Sequence, residues 1–443
     1  MKDSRHKKHN KHNKQKTYLK QKGGEKLGNG GFGCVIRPPI KCTTPFNKTQ
    51  YRKNTNYISK IIKHNYHQTA FNEISIGQEI LKIDPFNIYF SPIINGCFLT
   101  HETHPDIQYG KSTYTSNLGK TTEMTLSENK KIRKHVSNPY LPNKCFIDRN
   151  EPYLNLIGKY SGQNLHYYLS KINTIPESLY LKNNIYYVLF HLSKAVNLLH
   201  SKKILHKDIK LSNITINFSK IVKKQNTKTI TSEKSPNLKS FYSKSDLTNY
   251  KIPSINLIDF GLSVKIPKNA INEEIYKIVK NGTHNYIPPE IYILKNIIKI
   301  GKSIKITSHN EFEKIILKKI EEEFDNYRYY LNRNGFGKNG FSILNLDNKN
   351  QTNFISKEME NKLVSQLVNI YINNQISQEF LHDNLILSWD IYSLGIVFSK
   401  IIQKIKINDN KINNLISDMV SIDYRKRITS KELIKLNIFK DFI

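Results

Sequence analysis

Four short stretches of this sequence combine residue types that could handle a phosphoryl group. In Leu27, Gly28, Asn29, Gly30, Gly31, Phe32, Gly33, Cys34 and Val35 the glycines at 28, 30 and 33 form a GxGxxG pattern, and such a turn lets backbone N–H groups approach a polyphosphate. The same spacing also opens dinucleotide-binding domains or serves as a plain turn. Here strand-like Cys34-Val35-Ile36 follows instead of a helix, and no acidic residue stands about 20 positions on to hold a ribose. Next, Lys60 lies inside apolar Tyr57-Ile58-Ser59-Lys60-Ile61-Ile62, where alternation puts Ile58, Lys60 and Ile62 on one strand face. A cation there needs an anion unless it snorkels to the surface. His206-Lys207-Asp208-Ile209-Lys210-Leu211-Ser212-Asn213 then spaces a carboxylate, an ammonium and a carboxamide closely enough to surround one phosphoryl group. Finally Asn256-Leu257-Ile258-Asp259-Phe260-Gly261 is an apolar strand ending in a carboxylate. Asn213 and Asp259 are hard oxygen donors of the kind that hold Mg²⁺ together with substrate phosphates.

The elements that must position these groups can be read from periodicity. LGNGGFGCVIRPP and NYISKII are predicted strands, and residues 71–83 carry Ile76, Ile80 and Ile83 at helical spacing before Asp84-Pro85. YLNLIGKY is a further strand, and NNIYYVLFHLSKAVNLLHSKK is apolar on a broad enough face for a buried helix. Residues 1–22 are basic and polar and are predicted to form a disordered tail. Polar stretches at about 100–143, 219–250 and 295–384 are predicted insertions. The last includes helix-like EFEKIILKKIEEEF and KEMENKLVSQLVNIYI and is expected to be a small folded subdomain.

Composition limits the functional classes. The chain has 443 residues, 38% hydrophobic, enough for a sizeable core, which excludes a disulfide-stapled miniprotein and wholesale disorder. Sixty-nine Lys+Arg against 36 Asp+Glu leave a net charge of +33, so the surface attracts anions such as nucleic acid or acidic proteins. Lys, Asn and Ile are abundant throughout, however, and a composition-wide bias explains the charge better than a dedicated nucleic-acid surface. Cys34, Cys42, Cys97 and Cys145 show no CxxC spacing; free thiols in a reducing compartment are expected, with no zinc site. There is no apolar signal segment or membrane-length apolar run, so an intracellular, soluble protein is expected.

In order along the chain, GNGGFGCV, ISK, HKDIKLSN, DFG, GTHNYIPPE, WDIYSLG and DYRKRIT resemble the motifs of eukaryotic-type protein kinases. GGFGCVIRPPIKC and ISKII are similar to divergent kinases of large DNA viruses. The resemblance implies an α+β, bilobed fold over residues 23–443. A small antiparallel β lobe with one main helix (23–157) would be hinged near Leu156 to Gly162 to a larger, mostly helical lobe (158–443). It also implies a serine/threonine protein kinase that transfers the γ-phosphate of Mg-ATP to protein substrates, in the cytoplasm or, for a viral protein, in the host cytoplasm or virion. A pseudokinase scaffold is the alternative.

By position, the resemblance places Leu27, Gly28, Asn29, Gly30, Gly31, Phe32, Gly33 and Val35 around ATP, and Lys60 on its phosphates. Glu73 is the expected partner of Lys60, with Glu79 as runner-up. Asp208 would take or orient the acceptor proton, Lys210 would stabilise the transferred group, and Asn213 and Asp259 would hold Mg²⁺. Asp390, and Glu290 with Arg427, are implied to be structural, and His206 and Phe260 to pack beneath the site. Lys207 stands where the family usually has Arg, which weakens any clamp on a phosphorylated activation loop. Between Asp259 and Glu290 the only hydroxyls are Ser263, Tyr276, Thr283 and Tyr286; Thr283 is read as a substrate-loop residue.

Overall fold

The computed structural model describes residues 25–29, 33–40, 56–63, 66–99, 113–115, 121–123, 153–171, 176–218, 253–267, 272–304, 306, 308–320, 357–373 and 385–442. The tail at 1–22, the segment 219–250, Gly30, Gly31 and Phe32, and most of 100–143 lie outside them.

The β-branched and glycine-rich N-terminal segments form β1 (Glu25–Asn29), β2 (Gly33–Arg37), β3 (Tyr57–Lys63), β4 (Ile93–Leu99) and β7 (Tyr153–Lys159), in the antiparallel order β1-β2-β3-β7-β4. A short hairpin, β5 (Thr113–Thr115) with β6 (Thr121–Glu123), stands apart from that sheet. On one face of β3, Ile61 packs with Ile36 and Tyr153; on the other, Ile62 packs with Ala70, Ile93, Leu154 and Leu156. Helix α1 (His67–Ile83) lies on that second face and begins four residues earlier than its periodicity suggested. Gly77 sets the approach: a Cβ there would lie 2.0 Å from the carbonyl oxygen of Ile93, so only glycine lets the helix sit this close to β4. Asp84 ends α1, and its carboxylate accepts from the N–H groups of Ile88, Tyr89 and Phe90 at 2.8, 2.8 and 2.9 Å.

The larger lobe starts with β8 (Gln163–Asn164) and α2 (Leu165–Ser170), whose N-terminus is capped by the Asn164 side chain. A short helix, α3 (Pro176–Asn183), ends before Asn184, and the run read as a buried helix is α4 (Ile185–Ser201). Short strands β9 (Ile204–Leu205), β10 (Ile214–Asn217), β11 (Ser254–Leu257) and β12 (Val264–Lys265) then pair antiparallel as β8-β10-β11 and β9-β12. Helices α5 (Asn272–Val279), α6 (Pro289–Gly301), α7 (309–320), α8 (Lys357–Ile372), α9 (Ser388–Ile405), α10 (Asn410–Met419) and α11 (Ser430–Leu433) complete the described elements. This is the expected α+β, two-lobed architecture.

Helix α9 is apolar nearly all round and buried along most of its length, the signature of a central core helix. With α4 and α10 it forms one core, which also takes in Ile76, Ile80 and Phe90 of the small lobe. A second core joins α5 and α6 to Phe312, Ile316, Leu363, Leu367 and Val368 of α7 and α8, and to Trp389 and Tyr424. The helices of the third insertion therefore share a core with the rest of the lobe.

One expectation fails. Cys34 and Cys97 are disulfide-bonded, not free thiols. They lie on β2 and β4 with β3 and β7 between them, about 14 Å apart at the usual strand spacing, so they are not bonded to each other. Disulfides follow proximity in space, which spacing along a chain does not reveal.

Candidate active site

Two clusters of charge meet at the junction of the lobes. The first is built on Lys60, which β3 pairs with Val35 of β2 and Leu156 of β7. Its Nζ donates to Glu73 Oε1 and Oε2 at 2.9 and 2.8 Å and to Asp259 Oδ1 at 2.7 Å. Burial opposes the ammonium, but Glu73 and Asp259 more than offset this and hold Lys60 above its ordinary value. Glu73, only 2% exposed, is pushed up to about 7 by burial, with Asp259 adding to the rise and Lys60 opposing it. Burial also works to raise Asp259, yet Lys60, Lys210 and His206 bring that carboxyl below its ordinary value, so it is ionised. Glu79 lies elsewhere on α1, paired with Lys82 and Lys265.

The second cluster surrounds Asp208. Lys210 Nζ donates to Asp208 Oδ2 at 2.7 Å and to Thr283 Oγ1 at 3.1 Å, while the Thr283 hydroxyl donates to Asp208 Oδ1. Asn213 Nδ2 donates to the Asp208 carbonyl and to Oδ2, both at 2.9 Å. That fixes which way the amide points and leaves its carbonyl oxygen for another partner. Ile258 N–H donates to the Asn213 backbone carbonyl at 3.0 Å, which ties the Asp208 loop to the strand that delivers Asp259.

Backbone geometry supports both clusters. Lys207 and Asp259 have φ of 67° and 66°, left-handed conformations that non-glycine residues adopt at a cost of about 1–2 kcal/mol. The Lys207 turn is held by Asp390: its Oδ2 accepts from His206 N–H at 2.7 Å and its Oδ1 from Lys207 N–H at 2.9 Å. His200 Nε2 lies 3.2 Å from the same carboxylate. Below Asp259, the Phe260 ring packs on His206 at 4.9 Å and on Phe90 at 6.0 Å. Asn72, which sequence reasoning missed, donates to the Ser263 carbonyl at 2.8 Å and so ties α1 to the chain after Asp259. Its signal was a polar residue next to Glu73 on the helix.

Of the glycine-rich segment, Leu27 is half-buried on β1, Gly28 and Asn29 end that strand, and Gly33 opens β2. Val35, half-buried, stands directly across from Lys60. A sheet of antiparallel strands, one lysine bound by a helix carboxylate and a strand-end carboxylate, and a loop Asp braced by Lys, Asn and Thr are now in place. A family model described as Protein kinase domain matches residues 100–308.

The chain has a protein kinase fold.

The matched span includes the kinase segments His206–Asn213, Asp259–Gly261 and Gly282–Glu290; the strands carrying Gly28 and Lys60, and helix α9 with Asp390, lie outside it. The match supports kinase activity in general and, with it, the use of ATP, a divalent metal and protein substrates. A search of curated proteins found no match. Among the described residues, no helix is long and apolar enough to cross a membrane.

Proposed function

We propose that the chain is an active serine/threonine protein kinase that transfers the γ-phosphate of Mg-ATP to hydroxyls of protein substrates. The observation that carries this reading is the simultaneous binding of Lys60 to Glu73 and Asp259. It joins β3, α1 and the strand end of Asp259 in one ion cluster, the arrangement a competent phosphate site requires.

Asn213 and Asp259 suit a hard divalent cation: the first has its amide nitrogen engaged and its oxygen left over, and the second is ionised. Mg²⁺ at these oxygens would neutralise charge between the β- and γ-phosphates. Lys60 would hold the α- and β-phosphates, with Glu73 fixing its ammonium in place. The segment from Leu27 to Val35, with Asn29, Gly31 and Phe32 among its residues, would cover the nucleotide.

At the acceptor end, Asp208 would orient the hydroxyl and take its proton. Lys210, already on Asp208, is placed to stabilise charge on the transferred group. Little covalent chemistry falls to the protein, and catalysis rests on positioning and electrostatics. Thr283, in contact with both Asp208 and Lys210, supports a Ser/Thr acceptor. The resemblance of GGFGCVIRPPIKC and ISKII to kinases of large DNA viruses, read from the sequence alone, would make a host cytoplasm or virion the setting for this reading.

Transfer of labelled γ-phosphate from Mg-ATP to a panel of acidic and basic proteins, followed by phosphoamino-acid analysis, tests the reading. Phosphoserine or phosphothreonine that disappears with Asp208→Ala is the expected result. Equal signal from wild type and variant, with Mg-ATP bound, would mean a nucleotide-binding scaffold instead.

A further inference from the structure

Helix α1 carries Glu73 to Lys60, so the cluster exists only while α1 is held against the chain that follows Asp259. The pair with Lys60 is a conditional tether: burial raises the Glu73 carboxyl to about 7, and near neutrality much of it is protonated. One residue earlier, Asn72 makes a contact that does not depend on charge. Its Nδ2 donates to the Ser263 carbonyl at 2.8 Å and, more weakly, to the Gly261 carbonyl at 3.4 Å. The helix rests directly on this chain, since a Cβ at Gly261 would lie 3.2 Å from Thr69 Cγ2 and 3.4 Å from Glu73 Oε2.

The other side of the same segment is fastened to the large lobe. Ser263 is fully buried, and its Oγ donates to the His206 carbonyl at 3.1 Å. Val264 and Lys265 pair with Leu205 and Ile204, and Ile266 N–H donates to the Lys203 carbonyl at 2.8 Å. Hydrogen bonds thus link α1, through Asn72 and Ser263, to the loop that carries Asp208.

None of these links uses a phosphate, and the segment has little place for one. Its hydroxyls are Ser263, Tyr276, Thr283 and Tyr286. Ser263 is buried in the link just described, Thr283 donates to Asp208, and the buried Tyr286 accepts from Lys400 at 3.1 Å. Tyr276 is a phenol whose ring packs against the second core, not the alcohol that a serine/threonine kinase modifies.

We propose that Asn72 is a positioning residue whose clasp on Gly261 and Ser263 holds α1 and Glu73 in place, so that the chain is competent once folded and needs no phosphate between Asp259 and Glu290. The proposal rests on the phosphotransfer reading above and adds its regulation: a neutral side-chain amide does the work of an activating modification.

The test uses the full chain, treated with a protein phosphatase and checked by mass spectrometry to carry no phosphate in that segment. It should transfer phosphate from Mg-ATP at the rate of the untreated protein; a rate that depends on phosphate in the segment overturns the proposal. Loss of the two hydrogen bonds in Asn72→Ala should lower kcat by roughly tenfold, with KM for the substrate peptide and the melting temperature close to wild type. Asn72→Gln, which keeps the donor, should recover most of the rate. A wild-type kcat in the alanine variant, or an equal loss in both variants, overturns the clasp while leaving the kinase reading intact. If wild type transfers no phosphate, that reading has failed, and amide hydrogen exchange tests the clasp by itself. Faster exchange along α1 in Asn72→Ala than in wild type upholds it, and equal exchange overturns it.

Discussion

Lys60 is a residue whose meaning changes with its neighbours. Alone in an apolar strand it reads as a snorkelling lysine; bound to Glu73 and Asp259 it centres an ion cluster, the one on which the proposed phosphate site rests. Lys60, Asp208, Lys210, Asn213 and Asp259 could be singled out from the sequence, because each sits in a short stretch whose spacing is itself chemical, and the structure brings them into two neighbouring clusters. The sequence left Glu73 and Glu79 open, because both lie on one helix and periodicity does not fix how that helix is rotated against the sheet. The contact of Gly77 with Ile93 helps fix that rotation. Loss of the Asp208 carboxylate in Asp208→Ala should lower the transfer rate by at least about 10²–10⁴-fold in the labelled-phosphate assay. Glu73 yields a pH test. Its folded-state value, raised from 4.5 to about 7 by burial, means the fold holds this proton more tightly than the unfolded chain does. The resulting stability is complete below the unfolded value and is lost as pH rises through about 7. Thermal melts from about pH 5 to about pH 8 should therefore show wild type losing stability relative to Glu73→Gln; parallel curves would refute the shift.

At the level of elements, two ties hold distant segments together. Asp390 of α9 fixes the backbone at His206 and Lys207, and Arg427 makes a two-pronged pair with Glu290 of α6, both side chains fully buried. Arg427→Ala would leave Glu290 buried without its cation, and denaturant unfolding should report a loss of about 3–5 kcal/mol. A loss below about 1 kcal/mol would show that the pair is dispensable. The long strands and helices were legible because their apolar periods are unbroken. Two-residue strands such as β9 and β12 were not, since they exist only through pairing with each other. Helix α3 was also missed, because PESLYLKN is too short and too polar to show an apolar period.

Across the whole molecule, the helices of the third insertion are part of the large lobe's second core. Leu367 and Val368 are fully buried in the cluster that contains Trp389. Leu367→Ala should cost about 2–5 kcal/mol and shift one cooperative melt that includes the loss of kinase activity. A separate low-temperature transition with activity retained would instead mark these helices as an independent unit. Polarity suggested that 295–384 stands apart, but two strongly apolar helix faces were enough to draw its helices into the lobe.

The span between the Asp208 loop and its anchor also has a consequence for how the protein is made. Lys207 and Asp390 are 183 positions apart, which a ribosome at roughly 5–20 residues per second covers in about 10–40 s. Once Asp259 has been added, the nascent chain contains Lys60, Asp208 and Asp259 but still lacks the carboxylate that shapes the loop. The geometry of the Asp208 loop therefore arrives late in synthesis, and a chain released early would carry these side chains without the anchor that shapes it.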